Sequence, residues 1–153
     1  MWITSVTRFM LGFVLIFAAY NSVAAVVQNS EMLLSEDVKH AINAYSNKEY
    51  SRAIQLFTPL AEQNNVFAQF GLAQMHRLGQ GGAVDYALAL KWYLKASQSS
   101  YGVAQSQLGE MYEQGLGVPV DLAMAKNWYQ VSCSNQCSQG CLNFSRLEQT
   151  VQY

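Results

Sequence analysis

The chain is poor in charge and carries none of the common catalytic signatures. Of 153 residues only 12% are charged, nine Lys and Arg against ten Asp and Glu, for a net charge of -1. Such a balance gives no electrostatic footprint for nucleic acid and no polybasic run for anionic lipid. No Gly-x-Ser-x-Gly elbow, P-loop, dinucleotide fingerprint or His-Glu-x-x-His helix occurs, so the usual routes to hydrolysis, phosphoryl transfer and hydride transfer are missing. His40 and His76 stand on expected helices with no Ser or Cys nucleophile beside them in sequence and read as packing or surface residues. Three Cys at a spacing of four lack an obvious fourth metal ligand, so neither a metal nor a cofactor is expected. What remains is a chain of 51% apolar content, enough for the core of one domain.

The amino terminus differs in kind from everything after it. Arg8 precedes the apolar run Phe9 to Tyr20, and the small-residue segment Asn21 to Ala25 follows. These are the three parts of a secretory signal, expected over residues 1–25 with cleavage after Ala24 or Ala25. The alternative is a retained anchor from Phe9 to Val27, and contact with a membrane hangs on that retention. No Cys follows the apolar run, so the lipoprotein route is not indicated. The expected location is periplasmic or secreted.

Residues 66–101 and 102–137 superimpose at a period of 36 without a gap. Ala68 and Gln69 pair with Ala104 and Gln105, Leu72 with Leu108, and Met75 with Met111. Gly79 and Gly81 pair with Gly115 and Gly117, Asp85 with Asp121, Ala89 with Ala125, and Trp92-Tyr93 with Trp128-Tyr129. Ala68, Leu72 and Met75 fall at i, i+4 and i+7, one face of a helix that must be buried. The glycines then interrupt the period, and Asp85 and Asp121 take up N-cap positions where a carboxylate meets unpaired backbone N–H groups. In the second helix of each pair the small residue admits close approach, and Trp and Tyr fill the space between pairs. Loss of either Trp is expected to cost roughly 3–5 kcal/mol.

These residues resemble the Sel-1-like repeat, a branch of the tetratricopeptide superfamily. The second copy is nearly ideal, with Leu108, Met111, Tyr112, Gly115, Gly117, Asp121, Ala125, Trp128 and Tyr129 in place. The first departs at His76, where the pattern has Tyr, and at Gly82, where it has Val. The resemblance implies an all-α fold, a short right-handed superhelical solenoid of antiparallel helix pairs. Upstream, Ala41 to Tyr45 and Tyr50 to Leu60 look like a degenerate hairpin over 31–65 with a short loop at Asn47 to Glu49. Residues 138–153 fall in register with a further first helix and are expected to cap the solenoid.

All three cysteines lie near that cap. Cys133 aligns with Ser97 at the end of a second helix, Cys137 with Tyr101 in the turn, and Cys141 with Gln105 on the following helix. A Cys133–Cys141 bridge would staple two antiparallel helices in an oxidising compartment. The same spacing resembles that of cysteine-rich secreted members of the family, which link the helices flanking a turn. Cys137 is then a lone thiol, an intermolecular partner or an alternative bridge.

A solenoid of this kind exposes its first helices along a concave surface, where the superfamily takes its partners. The non-core positions there are Phe70, Gln74 and Arg77 in one copy and Ser106, Glu110 and Glu113 in the next. Phe70 reads either as an exposed anchor for a partner or as packing against the upstream hairpin. The expected function is that of a non-catalytic adaptor or scaffold for a protein or peptide. An immunity-type inhibitor of a periplasmic effector is the neighbouring alternative. Some cysteine-rich relatives are associated with penicillin binding or β-lactam hydrolysis, but Ser-x-x-Lys, Ser-Asp-Asn and Lys-Thr-Gly are all absent.

Overall fold

Alanines spaced a helical turn apart, flanked by large apolar side chains, let helices approach closely and give them something to bury. The structure, a computed structural model, describes residues 35–150. The expected signal over residues 1–25, its anchor alternative ending at Val27 and the start of the first hairpin at residue 31 lie outside the described residues. Among the described residues there are seven helices and no strand. They are α1 (Glu36–Ser46), α2 (Tyr50–Glu62), α3 (Val66–Leu78), α4 (Tyr86–Ser97), α5 (Gly102–Gln114), α6 (Leu122–Ser134) and α7 (Ser138–Thr150). Each packs on its neighbour in sequence, and α5 also meets α7. The result is a helical repeat solenoid.

The repeated residues hold repeated places. Ala68, Leu72 and Met75 are buried, as are Ala104, Leu108 and Met111. Asp85 caps α4 by accepting from the Leu88 N–H at 2.9 Å, and Asp121 caps α6 by accepting from the Met124 N–H at 2.8 Å. Gly79 and Gly115 end α3 and α5 at φ values of 65° and 71°, a left-handed conformation that a side chain disfavours. The loops that follow close over the helix pair before them. A Cβ on Gly81 would stand 2.9 Å from Ile54 Cδ1, and one on Gly117 would stand 2.7 Å from Tyr86 Cβ. Between pairs, the chain turns through left-handed residues at Asn64, Ser100 and Gln136, and the short first loop does so at Lys48.

The junctions between pairs are tied. Gln69 Nε2 donates to the Ala61 carbonyl at 3.1 Å, and Gln105 Nε2 donates to the Ser97 carbonyl at 3.2 Å. At the last junction Cys133 and Cys141 form a disulfide that joins the end of α6 to the first turn of α7, with Cα atoms 4.5 Å apart. Cys137, between them, is a free, half-buried thiol.

The two tryptophans differ where the repeat made them alike. Trp92 is buried, 6% exposed, with the Lys95 ammonium 4.7 Å and the Lys91 ammonium 5.6 Å from its ring centroid. The long stems of those lysines cover apolar surface. Trp128 is only half-buried, because Asn127 and Val131 stand at the corresponding positions and reach less far. Its indole N–H is buried and has no hydrogen-bond partner.

Candidate functional site

The inner helices α3 and α5 present matching register positions to the same side of the solenoid, and the six residues expected there fall into two clefts of opposite character. Phe70, Gln74 and Arg77 line a cleft of about 360 Å³ together with Ile42 and Tyr45 of α1, Phe57 of α2, and Phe67 and Leu78 of α3. Its surface is mostly apolar. Gly71 keeps it open: a Cβ there would stand 3.2 Å from the ring of Phe57, a buried side chain at the floor of the cleft. Ser106, Glu110 and Glu113 line a second cleft of about 420 Å³, whose other walls include Tyr129 of α6 and Asn143 and Arg146 of α7.

Three of the expected residues behave differently from a row of free surface groups. Phe70 is half-buried, its ring centroid 5.8 Å from that of Tyr93 and 5.4 Å, edge-on, from that of Tyr101. Its ring neighbours therefore come from the downstream helices, while its remaining face lines the cleft shared with the upstream hairpin. Ser106 is buried, 3% exposed, since α5 has α4, α6 and α7 packed around it and the side chain is too short to reach past them. Glu113 Oε2 accepts from the Tyr129 hydroxyl at 2.7 Å and from Arg146 Nη2 at 2.7 Å. The Arg146 hydrogen bond is the main reason its carboxyl titrates below the usual carboxylate range. Burial and the adjacent Glu113 push the Tyr129 hydroxyl well up. This trio ties α7 to α5 and α6.

The remaining charged groups, Arg77 and Glu110, are held by neutral partners. Gln74 Oε1 accepts from the Arg77 guanidinium at 3.3 and 3.2 Å. Glu110 accepts amide N–H groups from Gln107 at 3.1 Å and from Gln114 at 3.2 Å. Tyr93, fully buried and beneath Phe70, reaches the second cleft by donating from its hydroxyl to Gln107 Oε1 at 3.5 Å. Burial pushes that hydroxyl up to about 12. The chemistry on offer is recognition by shape, hydrogen bonding and charge. Burial at the end of α3 lowers the His76 pKa, against the opposing pull of Asp85. His40 is exposed beside Asn43 and Arg52. Among the described residues no three His, Cys, Asp or Glu converge on a metal-sized site, and no helix is long and apolar enough to cross a membrane.

Sequence reasoning did not find Ile42, Tyr45, Phe57, Phe67, Tyr93 or Arg146 as lining or bridging residues. Arg146 was within reach, because it lies at the register position of Gln74 and Glu110. Phe57 was too, since it holds the place of Tyr93 and Tyr129, whereas the α1 residues were not, because the shorter first loop shifts α1 out of the 36-residue register.

The Sel1 repeat matches residues 46–65, 66–101 and 102–137. Two solved structures resemble the chain over most of its length. One is a Sel1 repeat protein from Oxalobacter formigenes, 27% identical with a TM-score of 0.68, over 71% of this chain and 44% of that one. The other is a protective antigen present in uropathogenic Escherichia coli strains and displaying an SLR fold, 28% identical with a TM-score of 0.70, over 74% of this chain and 25% of that one. The chain thus spans less than half the length of either. No curated protein matches it in sequence.

Proposed function

The chain belongs to the Sel1 repeat family, whose repeats are generally non-catalytic protein-interaction modules, and from that premise we propose that it is an exported adaptor that grips a protein partner on its concave face. The observation that carries this reading is the pair of clefts. Positions on α3 are gathered with Ile42 and Leu78 into one cleft and positions on α5 with Arg146 into another, the shape and composition of a site for another chain's side chains. Export is supported by the order of Arg8, the apolar run and the small residues after it. The disulfide at the last junction suits the periplasm or the cell exterior.

A photo-crosslinking residue placed at Leu78 on the cleft rim should capture a discrete partner in the native cell envelope, identified by mass spectrometry. The same residue placed at Val131 on α6 should not. Equal, unspecific labelling from both positions would overturn the reading.

A further inference from the structure

The charges between the two clefts are not cancelled. Ile42 and Leu78 stand 41% and 48% exposed on the apolar cleft. Arg77, on the same cleft, is tied to the neutral Gln74 amide and the Tyr93 hydroxyl. Glu110, one inner helix further on, is tied to the neutral amides of Gln107 and Gln114. Among the described residues, neither Arg77 nor Glu110 takes part in an ion pair. The other carboxylate of the polar cleft, Glu113, is neutralised by Arg146. The concave face therefore offers one apolar recess, then one uncompensated cation, then one uncompensated anion. Both charges act on the Tyr93 hydroxyl that lies between them.

Charges recessed in a cleft are screened less than charges on an open surface, so a partner group of opposite sign gains a charge-assisted hydrogen bond there. An extended segment can enter the recess and follow the surface from one inner helix to the next.

We propose that the concave face takes an extended segment of a protein partner bearing a bulky apolar side chain for the Ile42–Leu78 recess, an acidic side chain for Arg77 and a basic side chain for Glu110, in that spatial order. This rests on the protein-binding reading and adds the chemistry of the partner. Complementary charge of this kind fixes register and discriminates between partners more than it adds raw affinity.

The test is selection of phage-displayed short random peptides on the purified mature chain and on Arg77→Glu and Glu110→Lys. The parent should enrich peptides carrying all three features. Arg77→Glu should exchange the acidic preference for a basic one, and Glu110→Lys should exchange the basic preference for an acidic one. A peptide enriched on the parent should lose roughly tenfold or more in affinity on either reversal and regain it when the matching peptide charge is reversed. If a reversal variant fails to fold by circular dichroism, Arg77→Gln and Glu110→Gln should still show the loss. Apolar peptides without the charges, or one preference shared by all variants, would overturn the charge assignment while leaving the adaptor reading intact. No enrichment on any of them would overturn both. Self-association of the parent that Leu78→Lys disperses would place a second copy in the recess and overturn the proposal.

Discussion

The side-chain amide of Gln105 donates to the carbonyl of Ser97 across the turn between α4 and α5, and one repeat later the same two positions are Cys141 and Cys133, joined through their sulfurs. Gln69 on the Ala61 carbonyl is the first of the series. Three successive junctions thus carry one tie, twice as a hydrogen bond and once as a covalent bond. The covalent one holds α7, which packs on α6 and more lightly on α5.

Opening the disulfide is expected to cost about 2–3 kcal/mol on the chain-entropy account for so short a loop. Cys133→Ser combined with Cys141→Gln rebuilds the earlier junctions and should recover about 1 kcal/mol relative to Cys133→Ser with Cys141→Ala. Urea denaturation of the three proteins checks this, and equal midpoints for the two double variants would show that the glutamine tie does not transfer.

The glutamines themselves are unequally satisfied. Gln105 Oε1 accepts from Asn135 Nδ2 at 2.8 Å, whereas Gln69 Oε1 is buried without a partner because Ser99 stands where the repeat would need that asparagine. Ser99→Asn should stabilise the chain by about 1 kcal/mol, and Asn135→Ala should destabilise it by about 1–2 kcal/mol. Thermal melts of both variants read the two effects, and an unchanged midpoint for Ser99→Asn would break the equivalence.

Acid should loosen the last helix. The Glu113 carboxyl titrates below its ordinary value of 4.5, chiefly through Arg146. A depressed acid contributes stability that is present above the unfolded-state pKa and lost as pH falls toward the folded-state value. Between about pH 5 and about pH 3 the melting temperature should therefore fall more steeply for the parent than for Glu113→Gln. Hydrogen exchange should rise first in α7. Parallel pH profiles for the two proteins would take Glu113 out of that role.

The tryptophans should separate. Trp92→Ala is expected to cost roughly 3–5 kcal/mol, and Trp128→Ala about half as much, since less of the ring leaves water on folding. Lys95→Ala should expose Trp92 and shift its fluorescence to the red. Equal costs for the two truncations would mean that the lysine stems contribute nothing to the burial.

Much of the scaffold was legible because it depends on residues that recur. Ala68, Leu72 and Met75 announce a buried face, Asp85 and Asp121 announce caps, and the paired glycines announce loops; each is a local rule applied twice. The candidate surface was half legible. Register alone placed Gln74 and Glu110 on one side, but the fate of Glu113 depends on Arg146, 33 residues away, and no local rule links them. For Phe70 the sequence offers two readings, and while it lines the cleft of the upstream hairpin, its contact with Tyr101 from another helix pair is one that no local rule supplies. The recurrent Gln69 and Gln105 were visible as matches, and a buried amide repeated at a fixed position was a signal that something there needed a hydrogen bond.

The glycine loops make the solenoid directional. The loop after α3 covers Ile54 on α2, and the loop after α5 covers Tyr86 at the start of α4, so each pair is finished by the one behind it. Leu122, which holds the place of Tyr50 and Tyr86 at the start of α6, is 49% exposed. Among the described residues no later loop closes over Leu122, so the covering runs one way along the helix series: every loop lies on the start of the preceding pair's second helix, and none lies on that of its own.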